Sequence, residues 1–187
     1  MSTTDTTDTT DLPLRPGTWA LDPAHSAVNF TIRHLGVSKV RGRFESFTVD
    51  ATIGETLEAT SVHALIEIAS VNTGQPDRDA HVLASDMVDV TARPTIAFRS
   101  TAITGSDDEW ELVGDLTIGE VTRSVTLQVE LGGLQEFPGG PRHAGFEATT
   151  QIRRQDFGLV PAVPSAMLGD VIKIELDLQL LEPEAEA

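Results

Sequence analysis

The sequence contains no cysteine and no tyrosine. Without cysteine there are no disulfides, thiolate metal ligands or cysteine nucleophiles, so the fold has to stand on its apolar core. Bases are scarce: 13 Lys and Arg face 29 Asp and Glu, a formal net charge of -16. A nucleic-acid duplex or a polyanionic membrane is repelled by such a molecule taken as a whole. Part of the excess sits at the ends, in the three Asp of residues 1–16 and the three Glu of residues 182–187, yet the body between keeps 23 acids against 12 bases. No stretch approaches the roughly eighteen apolar residues that a membrane helix needs. The opening Met1-Ser2-Thr3-Thr4-Asp5 stays polar through Asp11. It has neither the basic start nor the apolar run of an export signal, so the expected location is the cytoplasm.

Catalytic signatures are also missing. Ser and Asp are plentiful, but no Gly-x-Ser-x-Gly elbow places a nucleophile. Acids are so frequent on polar strand faces that no carboxylate pair stands out. The five histidines, at 25, 34, 63, 81 and 143, lack the i, i+2 or i, i+4 spacing that groups metal ligands on one element, so no metal site is expected. Arg78-Asp79-Ala80-His81 is the densest polar cluster. It reads as a salt-bridged, capped turn more readily than as a lip holding a ligand head group. His34, ahead of Leu35-Gly36-Val37-Ser38, reads either as a core residue or as part of a pocket rim.

What the chain does have is alternation. Its 187 residues, 40% hydrophobic with 15 Gly and 10 Pro, suit one globular domain with many turns. Residues 1–16, mostly Thr and Asp with Pro13 and Pro16, read as a disordered tail, residues 17–181 as the domain, and residues 182–187 as an acidic tail. Within the domain, Val28/Phe30/Ile32, Val62/Ala64/Ile66/Ile68, Ile96/Phe98, Leu112/Gly114/Leu116/Ile118, Val125/Leu127/Val129/Leu131, Phe146/Ala148/Thr150/Ile152 and Ile172 through Leu180 each repeat at period two, the mark of a strand buried on one face. With the segment from Phe44 to Ile53 there are eight, separated by clusters such as Asn72-Thr73-Gly74-Gln75-Pro76. The expected fold is all-β, an antiparallel eight-stranded barrel or a sandwich. One short helix is expected within Asp77 to Met87, with Asp77 as its cap and Ala80, Leu83, Ala84 and Met87 on one face.

An eight-stranded barrel either packs its interior with side chains or holds one small ligand there. Low aromatic content, seven Phe and two Trp, is compatible with both. A hollow interior would take an apolar chain, at about 0.8 kcal/mol for each methylene buried.

The order of these segments resembles the YceI-like family of lipocalin-like, polyisoprenoid-binding proteins. The resemblance runs from Thr18 to Leu181. It includes Trp19-Ala20-Leu21-Asp22-Pro23-Ala24-His25-Ser26 leading into Val28-x-Phe30-x-Ile32-x-His34-Leu35-Gly36, then Gly42-x-Phe44-x-x-Phe47, Val71-Asn72-Thr73-Gly74, Arg78-Asp79-x-His81, and Arg93-Pro94-x-Ile96-x-Phe98. It continues through Gly114-x-Leu116-Thr117-Ile118, Gly145-Phe146-x-Ala148 and Asp156-Phe157-Gly158.

The resemblance implies a lipocalin-like barrel that binds a long isoprenoid-like lipid or amphiphile without catalysis, for storage, transport or stress response. Val28, Phe30, Ile32, Phe44, Ile66, Ile68, Ile96, Phe98, Leu116 and Phe146 are the implied wall; His34 and His81, from the residue reading above, are the ligand-binding candidates at its rim. No cofactor is implied beyond a bound polyisoprenoid or quinone-like lipid. The partner is a long apolar small molecule rather than nucleic acid, and a homodimer is suggested. Met87 and Val88 stand where the family usually carries an aromatic residue, which would reshape that end of the cavity. The competing readings are a histidine-metal redox protein or enzyme, and a filled barrel that binds another protein.

Overall fold

The alternating segments pair in sequence order into a closed antiparallel barrel. The computed structural model describes residues 12–184. Its strands are β1 (Gly17–Leu21), β2 (Ala27–His34), β3 (Ser38–Phe44), β4 (Phe47–Ile53), β5 (Ser61–Glu67), β6 (Val71–Asn72), β7 (Thr95–Ser106), β8 (Glu109–Ile118), β9 (Val121–Gln135), β10 (His143–Arg153) and β11 (Leu168–Leu181). They occupy eight positions around the ring, because β1 with β2, β3 with β4, and β5 with β6 are strands interrupted by a bend. Pairing of Ala20 with Leu181 and of Leu21 with Leu180 closes the circle, which leaves no long open edge.

Each break has its own hydrogen bonds. Between β1 and β2 the Asp22 carboxylate accepts from the Ala24 N–H at 3.0 Å and faces His25 Nδ1 at 2.8 Å. Ser26 Oγ donates to the Asp22 carbonyl and accepts from the Gln179 N–H. At the β3–β4 break, Ser70 Oγ accepts from the N–H groups of both Glu45 and Ser46 and donates to the Glu67 carbonyl. Backbone groups that leave the ladder at a bend are thus satisfied by side chains.

The helix α1 (Pro76–Leu83) is shorter than expected and starts one residue earlier. Pro76 occupies its first turn, and Gln75 stands at the cap position without a side-chain bond. The expected cap, Asp77, lies inside the first turn, where its charge suits the helix dipole. Met87 lies beyond the helix end.

A buried apolar cluster narrows the barrel towards each end. At one end Ile68, Ile118, Ile152, Phe157, Leu159 and Val160 form a buried cluster, against which Leu83, Met87 and Val88 pack. At the other, Leu14, Trp19, Ala51, Ile53, Ala144 and Leu180 form a second cluster, with Leu12 beside it. Residues 12–16 therefore do not continue the expected tail. Leu14 is buried, the Arg15 carbonyl accepts from Trp19 Nε1 at 2.9 Å, and two leucines two apart supply apolar area that the Thr/Asp-rich composition conceals. The first eleven residues of the expected tail lie outside the described residues. Glu182, expected in the acidic tail, instead accepts both Arg142 Nε and Nη2 and lies 3.6 Å from Arg15 Nε.

Candidate functional site

Period-two alternation on eight strand positions sends one side chain in two towards the barrel axis. On β8 these are Trp110, Leu112, Gly114, Leu116 and Ile118, all buried. Between the two end clusters the inward side chains leave a cavity of about 180 Å³.

Two glycines place the aromatic part of its wall. A Cβ on Gly42 would overlap the Phe30 ring from the neighbouring strand, and one on Gly114 would overlap both the Phe98 ring and the Arg99 carbonyl. Phe30 and Phe98 therefore lie across bare backbone and project along the cavity. Phe44 packs beside Phe30 with ring centroids 5.4 Å apart.

The wall is almost wholly apolar, and its few polar members are already engaged. Asn29 Nδ2 donates to Asp177 on the outer side. Thr60 Oγ1 donates to the Thr56 carbonyl while accepting from the Gly54 N–H. Thr150 Oγ1 donates to the Thr126 carbonyl. The exception is Trp110: among the described residues, its Nε1–H is buried with no acceptor.

Of the implied wall residues, Val28, Phe30, Phe44, Ile66, Ile96, Phe98, Leu116 and Phe146 line this cavity. Ile68 does not, because β5 ends at Glu67 and Ile68 turns into the end cluster on a single 3-10 turn. Ile32 lies beyond the cavity, paired with Val40 and Ile172 towards the β2–β3 hairpin. His34 is exposed beside the hairpin tip. The exposed His81 lies 3.5 Å from the Asp86 carboxylate on the outer side of α1. Residues that the sequence pattern did not single out, notably Leu12, Leu14, Leu57 and Trp110, complete the lining.

The polar cluster after β6 is a knot. Asp79 accepts from the Thr73 N–H and Oγ1, and Arg78 donates from Nε to Thr73 Oγ1 and from Nη2 to the Thr73 carbonyl. His25 and His143 belong to one network, because His25 Nδ1 lies 2.8 Å from the Asp22 carboxylate, which accepts from Gln179 Nε2 at 2.9 Å, and that same Nε2 lies 3.0 Å from His143 Nδ1. Among the described residues no group of three or more His, Asp or Glu side chains converges as a metal would need, and no helix is long and apolar enough to cross a membrane.

A second, larger hollow of about 630 Å³ is an open saddle over β10, β11, β2 and β3. Its outer-face side chains carry both signs, Arg41 and Arg43 against Glu147 and Glu175. The apolar interior, with its walls from every position of the ring, is the better formed site.

Comparison with known proteins agrees with this architecture. Residues 19–180 match the model of the YceI-like domain. The chain is 38% identical over 136 residues to Protein YceI of Shigella flexneri, covering 72% of this chain and 71% of that one. Among solved structures, the Campylobacter jejuni YCEI protein superimposes with a TM-score of 0.74 at 26% identity, over 82% of this chain and 91% of that one. A polyisoprenoid binding domain from Saccharophagus degradans shares the fold at a TM-score of 0.65 and 14% identity, over 90% of this chain and all of that one. A matching domain over the whole barrel, a relative of that identity and the same closed meander leave one assignment: this chain belongs to the YceI-like family.

Proposed function

We infer that this protein binds a long isoprenoid-like chain inside the barrel and performs no reaction on it. The observation that carries the reading is the interior wall, in which every threonine and asparagine already has its hydrogen-bond partner and Trp110 Nε1–H alone is unpaired among the described residues, so that a ligand must be mainly apolar to fit without cost. The name of the Saccharophagus degradans domain supports the same ligand class. Some ten methylenes would contribute about 8 kcal/mol before the entropy of association is subtracted.

The volume constrains how this happens. Ligand pockets commonly run from about 300 to 1,000 Å³, and about 180 Å³ is less. A long chain enters only if wall side chains move, and Leu12 and Leu14, on the segment before β1 and outside the hydrogen-bonded ladder, are the ones best placed to do so. The same small volume is the observation in favour of the second reading, a filled barrel that binds another protein on its surface.

Mass spectrometry of an organic extract, with native mass spectrometry of the intact protein, separates the two. One long-chain lipid for each protein chain is the expected result. A protein that is empty as purified and takes up neither added polyprenol nor quinone would overturn the reading.

A further inference from the structure

We propose that the β2–β3 hairpin docks this barrel on a bilayer surface carrying anionic head groups. The hairpin turns through Leu35, Gly36 and Val37, with Leu35 at φ +52° and Gly36 at φ +68°. Two consecutive left-handed residues call for Asn or Gly, and a leucine there is strained. It is also 51% exposed, and Val37 is 83% exposed. Met167, 53% exposed, adjoins them, since its carbonyl accepts the Leu35 N–H at 2.8 Å. Neither strain nor exposure of these apolar groups serves the fold, whereas both suit a tip that enters an apolar layer.

The charge behind the tip is equally unusual for this chain. Residues 23–44 hold four of the 13 Lys and Arg and none of the 29 Asp and Glu. Arg33 and Lys39 stand directly opposite each other in the β2–β3 ladder, an arrangement of like charges that weakens a hairpin by itself. Among the described residues neither they nor Arg41 form an ion pair, while Arg43 pairs with Glu45 at 2.9 Å. The nearby carboxylate of Asp170 is held by Arg153 at 3.2 Å. An anionic surface would relieve the Arg33–Lys39 repulsion.

The net charge of -16 does not forbid this. At about 0.15 M salt the screening length is about 8 Å. A strand advances about 3.4 Å for each residue, so a surface at the tip feels Arg33 and Lys39, two residues from Leu35 and Val37, more strongly than the acids set further back in the barrel. At about 0.01 M the screening length grows to about 30 Å, and the acidic body then repels the same surface. Docking should therefore be stronger at about 0.15 M than at about 0.01 M salt, the reverse of a uniformly basic protein. The site is distinct from the interior cavity.

The test is co-sedimentation of the full chain with vesicles of phosphatidylcholine alone and of phosphatidylcholine mixed with phosphatidylglycerol, at both salt concentrations. The parent protein should sediment with the mixed vesicles only. Replacing both Arg33→Gln and Lys39→Gln should lower partitioning more than tenfold, at about fivefold for each charge removed, and Val37→Asp should abolish it. Phe137→Asp, at an exposed residue in the β9–β10 connection, should change nothing. Melting temperature checks each variant; if Val37→Asp melts lower, the double charge variant decides. No sedimentation of the parent, indifference to phosphatidylglycerol, or variants that sediment like the parent would each overturn the proposal. So would a dimer in gel filtration that Val37→Asp dissolves, because the tip would then serve a second copy of the chain. The vesicles contain no isoprenoid, so failure here leaves the interior-ligand reading standing.

Discussion

Arg154 Nη1 donates to the carbonyl of Val160 at 2.6 Å, from inside the protein, and among the described residues no carboxylate pairs with it. The same guanidinium reaches the carbonyls of Val163 at 2.6 Å, Leu168 at 3.1 Å, Gly169 at 3.2 Å and Leu159 at 3.4 Å. It thereby fixes the whole connection from β10 to β11, the segment that brings Phe157, Leu159 and Val160 into the end cluster. Carbonyl dipoles take the place of a counter-ion here, and the planar fork of Arg suits several acceptors at once.

Arg154→Met should lower stability by about 3 kcal/mol or more, since buried carbonyls lose a charged donor. Arg154→Lys should rescue little of this, because one ammonium nitrogen cannot reach acceptors spread over residues 159–169. Urea denaturation of the three proteins checks both statements. A lysine variant as stable as the parent would show that charge, not the fork, is what the loop needs.

Glu182 ties the chain's end to the other end cluster. The hydrogen bonds from Arg142 hold its carboxyl below the ordinary glutamate value of 4.5. A depressed carboxyl stabilises the folded state while ionised. Its contribution is therefore full at neutral pH, begins to fade as the pH drops past the ordinary value, and is gone below the folded one. Melting temperature should fall between pH 5 and pH 3 by less in Glu182→Gln than in the parent, after both are compared at neutral pH. Identical acid profiles would mean that the Arg142 pair adds nothing.

The ring of eight strand positions was legible because alternation persists over most of each position, broken only locally where the register shifts at Gly145/Phe146, Ser100/Ala102 and Leu168/Ile172. The bends were not, because alternation continues across them: Val62, Ala64, Ile66 and Ile68 read as one strand, and only the turn after Glu67 sends Ile68 elsewhere. Likewise Phe44 to Ile53 hides the break that Ser70 bridges from a distance in sequence. Leu12 and Leu14 were missed since Thr and Asp dominate their surroundings, although their spacing of two was visible. Arg154 left no local signal, its acceptors being main-chain atoms. Whether the interior is hollow depends on the sum of side-chain volumes, which no periodic pattern records.

Gly114 tests how the wall is built. Its missing Cβ makes room for the Phe98 ring and the Arg99 carbonyl, and backbone moves less readily than a ring. Gly114→Ala should cost about 1–3 kcal/mol through overpacking and should reduce uptake of a polyprenol, as Phe98 is driven across the cavity. Thermal unfolding and a lipid-loading assay read the two effects. A variant that keeps full stability and loading would remove Phe98 from the wall's fixed part.

Trp110 tests what the ligand carries. An unpaired buried N–H costs the folded state about 1–3 kcal/mol, and Trp110 Nε1 is such a donor in a residue that lines the cavity. Trp110→Phe removes the cost along with some packing, so the melting temperature should change little. Its effect on binding should depend on the ligand. If an oxygen of the bound molecule accepts that N–H, the variant should bind a quinone-bearing isoprenoid about five- to tenfold more weakly, one neutral hydrogen bond's worth, and a pure hydrocarbon chain of equal length no more weakly. Titration of both ligands against both proteins gives the comparison. Equal changes for the two ligands would mean that the indole donor faces away from the bound chain, and that the wall selects by shape and apolarity alone.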